Sequence, residues 1–241
     1  MIAPPVPPIS QPGSPARPRP APPPLYPGDC LSRVEFERRY EAHPEIKKAE
    51  LIEGVVYMPS PVRLQQHGHP HSNIVTWLGV YRAATPQTMT ADNTTVRLDF
   101  ENEVQPDALL RLEPAQGGRS RITDDDYLDG PPELVVEIAA SSAAYDLHAK
   151  RRAYQRSGVP EYLAVQMYEQ RVAWFALREG VYQPLLPDAA GVLRSEVFPG
   201  LWLQPAALFS GDLARMLTVL QAGLASPEHA AFVARLQAPA P

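Results

Sequence analysis

Two acidic residues lie in apolar segments of the sequence, where burying an unpaired carboxylate is costly. Glu137 interrupts the apolar run 134–138, and Asp107 follows Pro106 at the start of the apolar segment 107–112. If these segments are neighbouring strands, the two carboxylates could bind one hard divalent cation, since Mg²⁺ prefers one or two carboxylates with waters and phosphate oxygens. Such an ion polarises a phosphodiester and lowers the pKa of an attacking water. The pattern therefore indicates metal-assisted hydrolysis.

Two further charged residues are candidates for the same chemistry. Lys150 lies on the predicted helix that follows the strand of Glu137. A lysine near the metal could orient the water or stabilise charge in the transition state. Glu53, at the bend of an early pair of strands, could supply a further carboxylate. The predicted catalytic set is therefore Asp107, Glu137, Lys150 and Glu53.

Each candidate also has a purely structural interpretation. Asp107 could be a turn residue after proline, and Glu137 could pair with a buried arginine. Lys150 follows Asp146 by four residues, the spacing of a surface ion pair on a helix. Glu53 could be a solvated hairpin residue. The residues alone leave these alternatives open.

Periodicity and capping signals predict the elements that must position these residues. Ser32 and Glu35 fit a capping box for a helix through Tyr40, and Gly158 suits the end of a later helix. We predict helices over 32–40, 71–81, 143–157, 213–224 and 228–236, and strands over 50–57 (bent at Gly54), 94–100, 104–112, 134–138, 161–166, 171–177 and 181–185. This order predicts an α/β (α+β) fold with a mixed sheet.

The candidates belong to an ordered set of motifs that resembles a known family. The motifs are Glu50-Leu51-Ile52-Glu53-Gly54, the helix led by His71, Gln105-Pro106-Asp107, Glu133-Leu134-Val135-Val136-Glu137-Ile138, Tyr145-Asp146-Leu147-His148-Ala149-Lys150, Tyr154, and Gly158-Val159-Pro160-Glu161-Tyr162. With this spacing, over roughly residues 30–210, the chain resembles the Uma-two family of restriction endonucleases in the PD-(D/E)XK nuclease superfamily.

The resemblance implies a fold, a cofactor and an activity. It implies a restriction-endonuclease-like core of mixed sheet flanked by helices, and hydrolysis of DNA phosphodiester bonds. It further implies that Asp107 and Glu137 bind Mg²⁺ or Mn²⁺ with the carbonyl of Ile138, and it suggests His71 and Gln105 as cleft residues.

One position departs from the superfamily pattern. The lysine expected two residues after the acidic residue is Ala139 here. The relatives that this chain resembles supply their lysine from the next helix, where this chain has Lys150.

Composition bounds the rest of the chain. Residues 1–27 contain twelve of the 29 prolines, which predicts a disordered tail before a single nuclease-like domain over 28–241 with C-terminal helices. The net charge of -5 argues against coating nucleic acid through bulk charge. The single cysteine, Cys30, and the lack of an apolar run of about 20 residues or of a signal peptide predict a cytoplasmic protein with no membrane partner.

Two other functions and two possible partners follow from the same residues. The chain could bind nucleic acid as a scaffold with little or no turnover, or it could be a zinc hydrolase that uses the cluster His67, His69 and His71. The basic segment formed by Lys150, Arg151, Arg152 and Arg156 could contact phosphates or form a solvated helix face. The expected partner is DNA, and cutting both strands would favour a homodimer.

Overall fold

A computed structural model describes residues 21–59, 61–139 and 143–238. The helices are α1 (Arg33–Ala42), α2 (His69–Ala84), α3 (Ala143–Ser157), α4 (Pro205–Phe209), α5 (Leu213–Leu224) and α6 (Pro227–Gln237). The strands are β1 (Glu50–Ile52), β2 (Val55–Tyr57), β3 (Thr88–Ala91), β4 (Val96–Arg97), β5 (Glu103–Val104), β6 (Ala108–Leu112), β7 (Arg121–Ile122), β8 (Leu128–Asp129), β9 (Leu134–Ala139), β10 (Glu161–Gln166), β11 (Arg171–Arg178), β12 (Val181–Pro184), β13 (Leu193–Arg194) and β14 (Trp202–Leu203). No helix in the described part of the chain is both long and apolar enough to cross a membrane.

The strands of the described residues form two six-stranded sheets and one short hairpin. The first sheet has the order β2-β1-β5-β4-β8-β7, and the second has the order β12-β11-β10-β9-β6-β3. In the second sheet, β9 pairs in parallel with β10 and antiparallel with β6. The predicted mixed sheet flanked by helices is therefore confirmed, with β9 in an interior position.

Alternate residues of β9 face two different cores. Leu134, Val136 and Ile138 belong to the core that includes Trp77 of α2, whereas Val135 belongs to the core that includes Tyr154 of α3. Because side chains alternate along a strand, Glu137 faces the same side of the sheet as Val135. The strand therefore directs its one carboxylate toward α3.

The predicted strand 94–100 is wrong over most of its length, because only Val96–Arg97 is strand. Asp99 ends it. Its Oδ1 accepts hydrogen bonds from the backbone N–H of Glu101 and from the Asn102 side chain, both at 2.8 Å. An aspartate that bonds the backbone two residues ahead stabilises a turn instead of an extended strand.

The predicted strand 104–112 is interrupted, and its two parts belong to different sheets. Glu103–Val104 is in the first sheet and Ala108–Leu112 is in the second. Pro106 has no N–H to donate to a ladder. The N–H of Gln105 donates to Glu50 Oε1 at 2.7 Å instead of to a neighbouring strand. The chain therefore changes sheets immediately before Asp107.

The packed part of the chain begins earlier than the sequence predicts. Leu25, within the predicted tail, is buried in a small core with Phe36, Leu51 and Val56. Residues 1–20 of that tail lie outside the described residues. Burial of the apolar Leu25 side chain stabilises this part of the chain against the core, although the composition of the segment predicts disorder.

Helix α5 contacts the chain before β14 through two glycines. A Cβ atom at Gly223 would lie 2.2 Å from the carbonyl oxygen of Gly200 and 2.9 Å from the ring of Trp202. Real Cβ atoms do not approach backbone oxygens so closely. The contact therefore requires a residue without a side chain at position 223.

We predict opposite effects on stability for two glycine-to-alanine changes in helices. Alanine is the better helix former by about 1 kcal/mol, but at Gly223 the clash reverses this gain, and we expect Gly223→Ala to lower the free energy of unfolding by about 1–3 kcal/mol. At Gly79 in α2 a Cβ would meet no atom of the described chain within 4 Å. Gly79→Ala is therefore expected to raise the free energy of unfolding by about 0.5–1 kcal/mol. Urea denaturation measures both, and a stabilising Gly223→Ala would contradict the predicted clash.

A half-buried carboxyl group on α1, that of Glu37, and a buried one on β5, that of Glu103, join the helix to the first sheet. Arg97 Nε lies 2.8 Å from Glu37 Oε1 and 3.6 Å from Glu103 Oε2, and Arg33 lies 3.5 Å from Glu37. Burial, followed by the hydrogen bond and charge of Glu37, raises the pKa of Glu103 to about 8, although Arg97 and Arg33 oppose the shift. The folded protein therefore favours a protonated Glu103.

We predict that Glu103→Gln becomes increasingly stabilising as pH rises. Because the folded-state pKa of Glu103 lies above the ordinary value of 4.5, its contribution to stability is present below pH 4.5 and is lost as pH rises toward 8. Glutamine remains neutral, so the melting temperature of Glu103→Gln relative to wild type should increase between pH 5 and pH 9. Exposed Glu101→Gln is the matched control, and a difference that does not change with pH would contradict the prediction.

Candidate active site

The antiparallel pairing of β6 with β9 brings the two predicted metal carboxylates together. Ala108 lies opposite Val136, so the next pair in this register is Asp107 with Glu137. Opposite residues of an antiparallel pair point to the same face of the sheet. Asp107 Oδ2 also accepts a hydrogen bond of 2.7 Å from the backbone N–H of Ile138. One side chain is therefore fixed directly to the strand that carries the other.

Helix α3 places a lysine and a tyrosine on Glu137. Lys150 Nζ lies 3.0 Å and 3.1 Å from the two oxygens of Glu137, and the Tyr154 hydroxyl donates to Oε1 at 2.6 Å. These two residues are four apart and share one helix face. Glu137 thus pairs with lysine and not with arginine, and the surface interpretation of Lys150 is wrong, because Lys150 is buried.

A third carboxylate reaches the cluster from the first sheet. Glu50, the first residue of β1, lies 2.9 Å from Lys150 Nζ through Oε1. The same oxygen accepts the 2.7 Å hydrogen bond from the N–H of Gln105. Lys150 therefore joins β1 of one sheet to β9 of the other.

The cluster has more negative than positive charge. Its main members are almost fully buried: Glu50 is 5% exposed, Asp107 6%, Glu137 6% and Lys150 8%. Burial alone would lower the pKa of Lys150, but Glu137, Glu50 and Asp107 outweigh it and raise the pKa. Burial raises the pKa of Glu137, and Asp107 and Glu50 raise it further against the opposing effect of Lys150. Two carboxylates thus contact one ammonium group, and the charge of the third, Asp107, acts on it from nearby without a direct contact.

Asp107 differs from Glu137 because it has its own hydrogen-bond donors. Burial acts to raise its pKa, but the hydrogen bonds from His67 and from the Ile138 N–H contribute to an overall lowering. The His67 Nε2 lies 3.1 Å from Asp107 Oδ1. These donors hold the ionised carboxylate of Asp107 in place.

The donor chemistry of this cluster fits a hard divalent cation. Asp107 and Glu137 supply the one or two carboxylates that Mg²⁺ prefers, and the excess negative charge favours a cation. Within residues 21–59, 61–139 and 143–238, no group of three or more His, Cys, Asp or Glu side chains already has metal-ligand geometry. A cation at Asp107 and Glu137 must therefore compete with Lys150 and Tyr154 for the oxygens of Glu137.

The predicted histidine cluster is divided between two places. His67 and His71 lie together, with ring centroids 5.7 Å apart. The ring of His69 lies near Gly211, 3.7 Å from the position of a Cβ there. The three imidazoles therefore do not converge, and the structure does not support the zinc-hydrolase hypothesis.

Glu53 is not brought into the carboxylate cluster. It occupies the hairpin between β1 and β2 with φ 53°, followed by Gly54 with φ 75°. Its carboxylate lies 2.6 Å from Arg152 and 3.4 Å from Arg156, and Arg152 is the main cause of its lowered pKa. The Glu53 ion pairs cover part of the basic face predicted to contact phosphates.

The remaining predicted site residues contact the cluster mainly through the backbone. His71 Nε2 donates to the carbonyl of Asp107 at 2.7 Å. Ile138 contributes its N–H to Asp107, and its carbonyl remains a predicted ligand. The Gln105 side chain lies 3.3 Å from the Thr95 hydroxyl, whereas its N–H reaches Glu50. These groups fix the chain around Asp107.

Three contributing residues were not assigned a role from the sequence. Glu50 and Tyr154 are within the resembling motifs, and Tyr154 follows Lys150 by the four residues that place side chains on one helix face. Glu50 lies on the face of β1 opposite to Leu51, but all three residues of β1 are buried, so the strand shows no alternation that points to Glu50. His67 was considered only as part of a zinc cluster.

The fold is similar to that of one solved structure in particular. This is a crystal structure from Anabaena variabilis, described as a "putative nuclease belonging to DUF820", with a TM-score of 0.53 and 15% sequence identity. The similarity covers 68% of this chain and 90% of that chain. At this identity the likeness shows a common fold. No curated protein matches the chain significantly.

A family model matches most of the chain, including the residues of the cluster. The model is Uma2, described as "Putative restriction endonuclease", and it matches residues 33–206. This range includes Glu50, Asp107, Glu137, Lys150 and Tyr154, and it amounts to well over half of the 241 residues. The chain belongs to the Uma2 family of restriction-endonuclease-like proteins.

Proposed function

We propose that this chain is a metal-dependent endonuclease that hydrolyses phosphodiester bonds in DNA. The observation that supports it most is the buried cluster in which Glu50 and Glu137 contact the single ammonium of Lys150 and Asp107 lies opposite Glu137 on the neighbouring strand. Such excess negative charge is costly to bury and is typical of sites that bind a cation. Membership of a restriction endonuclease family supports a nucleic acid as the substrate.

Asp107 and Glu137 would hold Mg²⁺ or Mn²⁺, with the carbonyl of Ile138 as a third donor. When bound, the cation would polarise the phosphoryl group and lower the pKa of a water molecule. The Ile138 N–H and His67 hold the Asp107 carboxylate from its two oxygens, and Tyr154 orients Glu137. The chain therefore fixes the Asp107 carboxylate before any substrate binds, whereas Glu137 must exchange its contact with Lys150 for the cation.

Lys150 is the group that would act on the substrate. Its ammonium has three donors and contacts both Glu137 and Glu50. If the oxygens of Glu137 turn to a cation, the contact with Glu50 at 2.9 Å still keeps Lys150 in the site. A freed N–H could then donate to the attacking water or to a phosphate oxygen, where charge increases in the transition state.

We predict metal-dependent cleavage that depends on Asp107, Glu137 and Lys150. Supercoiled plasmid, single-stranded DNA and RNA would be incubated with Mg²⁺, Mn²⁺ or EDTA. Asp107→Asn and Glu137→Gln should abolish cleavage, since each removes a charge that holds the cation, and Lys150→Ala should lower the rate by about 100-fold or more. Thermal melting should show that Glu137→Gln stays folded, because it removes one of the excess negative charges.

The lysine variant needs a folding control. Lys150→Ala leaves two buried carboxylates without their cation, which can cost about 3–5 kcal/mol. A second variant combines it with Glu50→Gln to remove one of those charges, and exposed Glu101→Gln serves as the surface control. Glu50→Gln alone should lower cleavage more than Glu53→Gln, because Glu50 contacts Lys150 whereas Glu53 contacts Arg152.

Several outcomes would overturn parts of the proposal. Normal cleavage by a folded Lys150→Ala protein would remove the lysine from the mechanism. Cleavage of RNA alone would overturn DNA as the substrate. Binding of nucleic acid without cleavage under any metal would favour the scaffold function, in which the pairing of Lys150 with Glu137 is permanent.

A further inference from the structure

Two imidazole groups hold Asp107 at its two ends. His67 Nε2 lies 3.1 Å from the carboxylate oxygen Oδ1, and His71 Nε2 lies 2.7 Å from the backbone carbonyl oxygen. The two rings are 5.7 Å apart and tilted by 31°. His71 leads the family helix, whereas His67 precedes it by four residues.

A π-helical turn places His67 in this position. The turn covers Leu64–Gly68 and continues directly into α2. The N–H groups of His67 and Gly68 both donate to the carbonyl of Arg63, at 2.9 Å and 3.1 Å. Residues four apart on a helix share a face, so His67 lies beside His71. Short π-helical turns are uncommon and are frequent at functional sites.

The His67 hydrogen bond completes the support of one carboxylate. Oδ2 of Asp107 accepts from the Ile138 N–H and Oδ1 accepts from His67, so each oxygen has one donor among the residues that the structure describes. A carboxylate has about four lone-pair positions, so both oxygens can still bind a cation. Without His67, the Asp107 carboxylate would keep only the hydrogen bond from the Ile138 N–H and could rotate about it.

We propose that His67 is a positioning residue that holds the Asp107 carboxylate in the orientation that binds the divalent cation. This inference rests on the proposed function, because it assigns a role toward the same cation. Donors that orient a metal ligand typically contribute 10- to 100-fold to metal affinity. His67 would contribute through its hydrogen bond to Asp107 and not by touching the metal.

The test measures Mn²⁺ binding without nucleic acid, by titration calorimetry and by electron paramagnetic resonance of free Mn²⁺. We expect His67→Ala to raise the dissociation constant of Mn²⁺ by about 10- to 100-fold. His67→Gln, whose amide N–H can take the place of Nε2–H, should restore most of the affinity. His69→Ala is the matched control, because His69 is exposed and lies near Gly211, away from Asp107. Thermal melting of each variant separates loss of affinity from loss of fold.

The outcomes distinguish this proposal from the proposed function. Equal Mn²⁺ affinity of wild type and folded His67→Ala would overturn the role of His67 alone. Direct nitrogen coupling to bound Mn²⁺ that disappears in His67→Gln would make His67 a ligand and would also overturn the positioning role. Weaker Mn²⁺ binding by His67→Ala in a chain that cuts no DNA would support the positioning role and overturn the nuclease. A wild type that binds no Mn²⁺ would overturn both.

Discussion

The contact of one lysine with two carboxylates from different sheets is the interaction on which the site depends. Lys150 in α3 contacts Glu137 on β9 and Glu50 on β1, and thereby joins the helix to both sheets. It is also the cation that makes the burial of these acidic groups tolerable. Breaking a buried pair by removing one partner is far more costly than a surface change, so the cluster constrains the local fold as well as its chemistry.

The surrounding fold gives each of the two neighbouring carboxylates, Asp107 and Glu137, its own hydrogen-bond donors. Tyr154 and Lys150 donate hydrogen bonds to Glu137, whereas His67 and the Ile138 N–H donate to Asp107. Separate donors keep the two carboxylates close despite their repulsion. Proteins accept such local cost at functional sites and offset it by stability elsewhere, here in the apolar cores on both faces of β9.

Sequence reasoning predicted what depends on local pattern. The interior strand with its single glutamate and the full range of α3 agree with the structure, because apolar runs and helix-ending glycine are local signals. The resemblance led to Lys150, which spacing alone had favoured as a surface residue. The pairing of Glu50 instead of Glu53 with Lys150 depends on which face of a three-residue strand meets α3, and short strands such as β3, β7 and β13 carry too few residues to show alternation.

The change of sheet at Gln105, Pro106 and Asp107 means that the residues of the site are supported by two different sheets. The second sheet and α2 support Asp107 and Glu137, whereas the first sheet supports Lys150 through Glu50. Substitutions that shift β1 would therefore act first on Lys150 and Gln105 through Glu50, whereas the pairing of β6 with β9 keeps Asp107 opposite Glu137. In the proposed nuclease, a change in β1 would therefore lower the rate of cleavage more than it would weaken the binding of a cation.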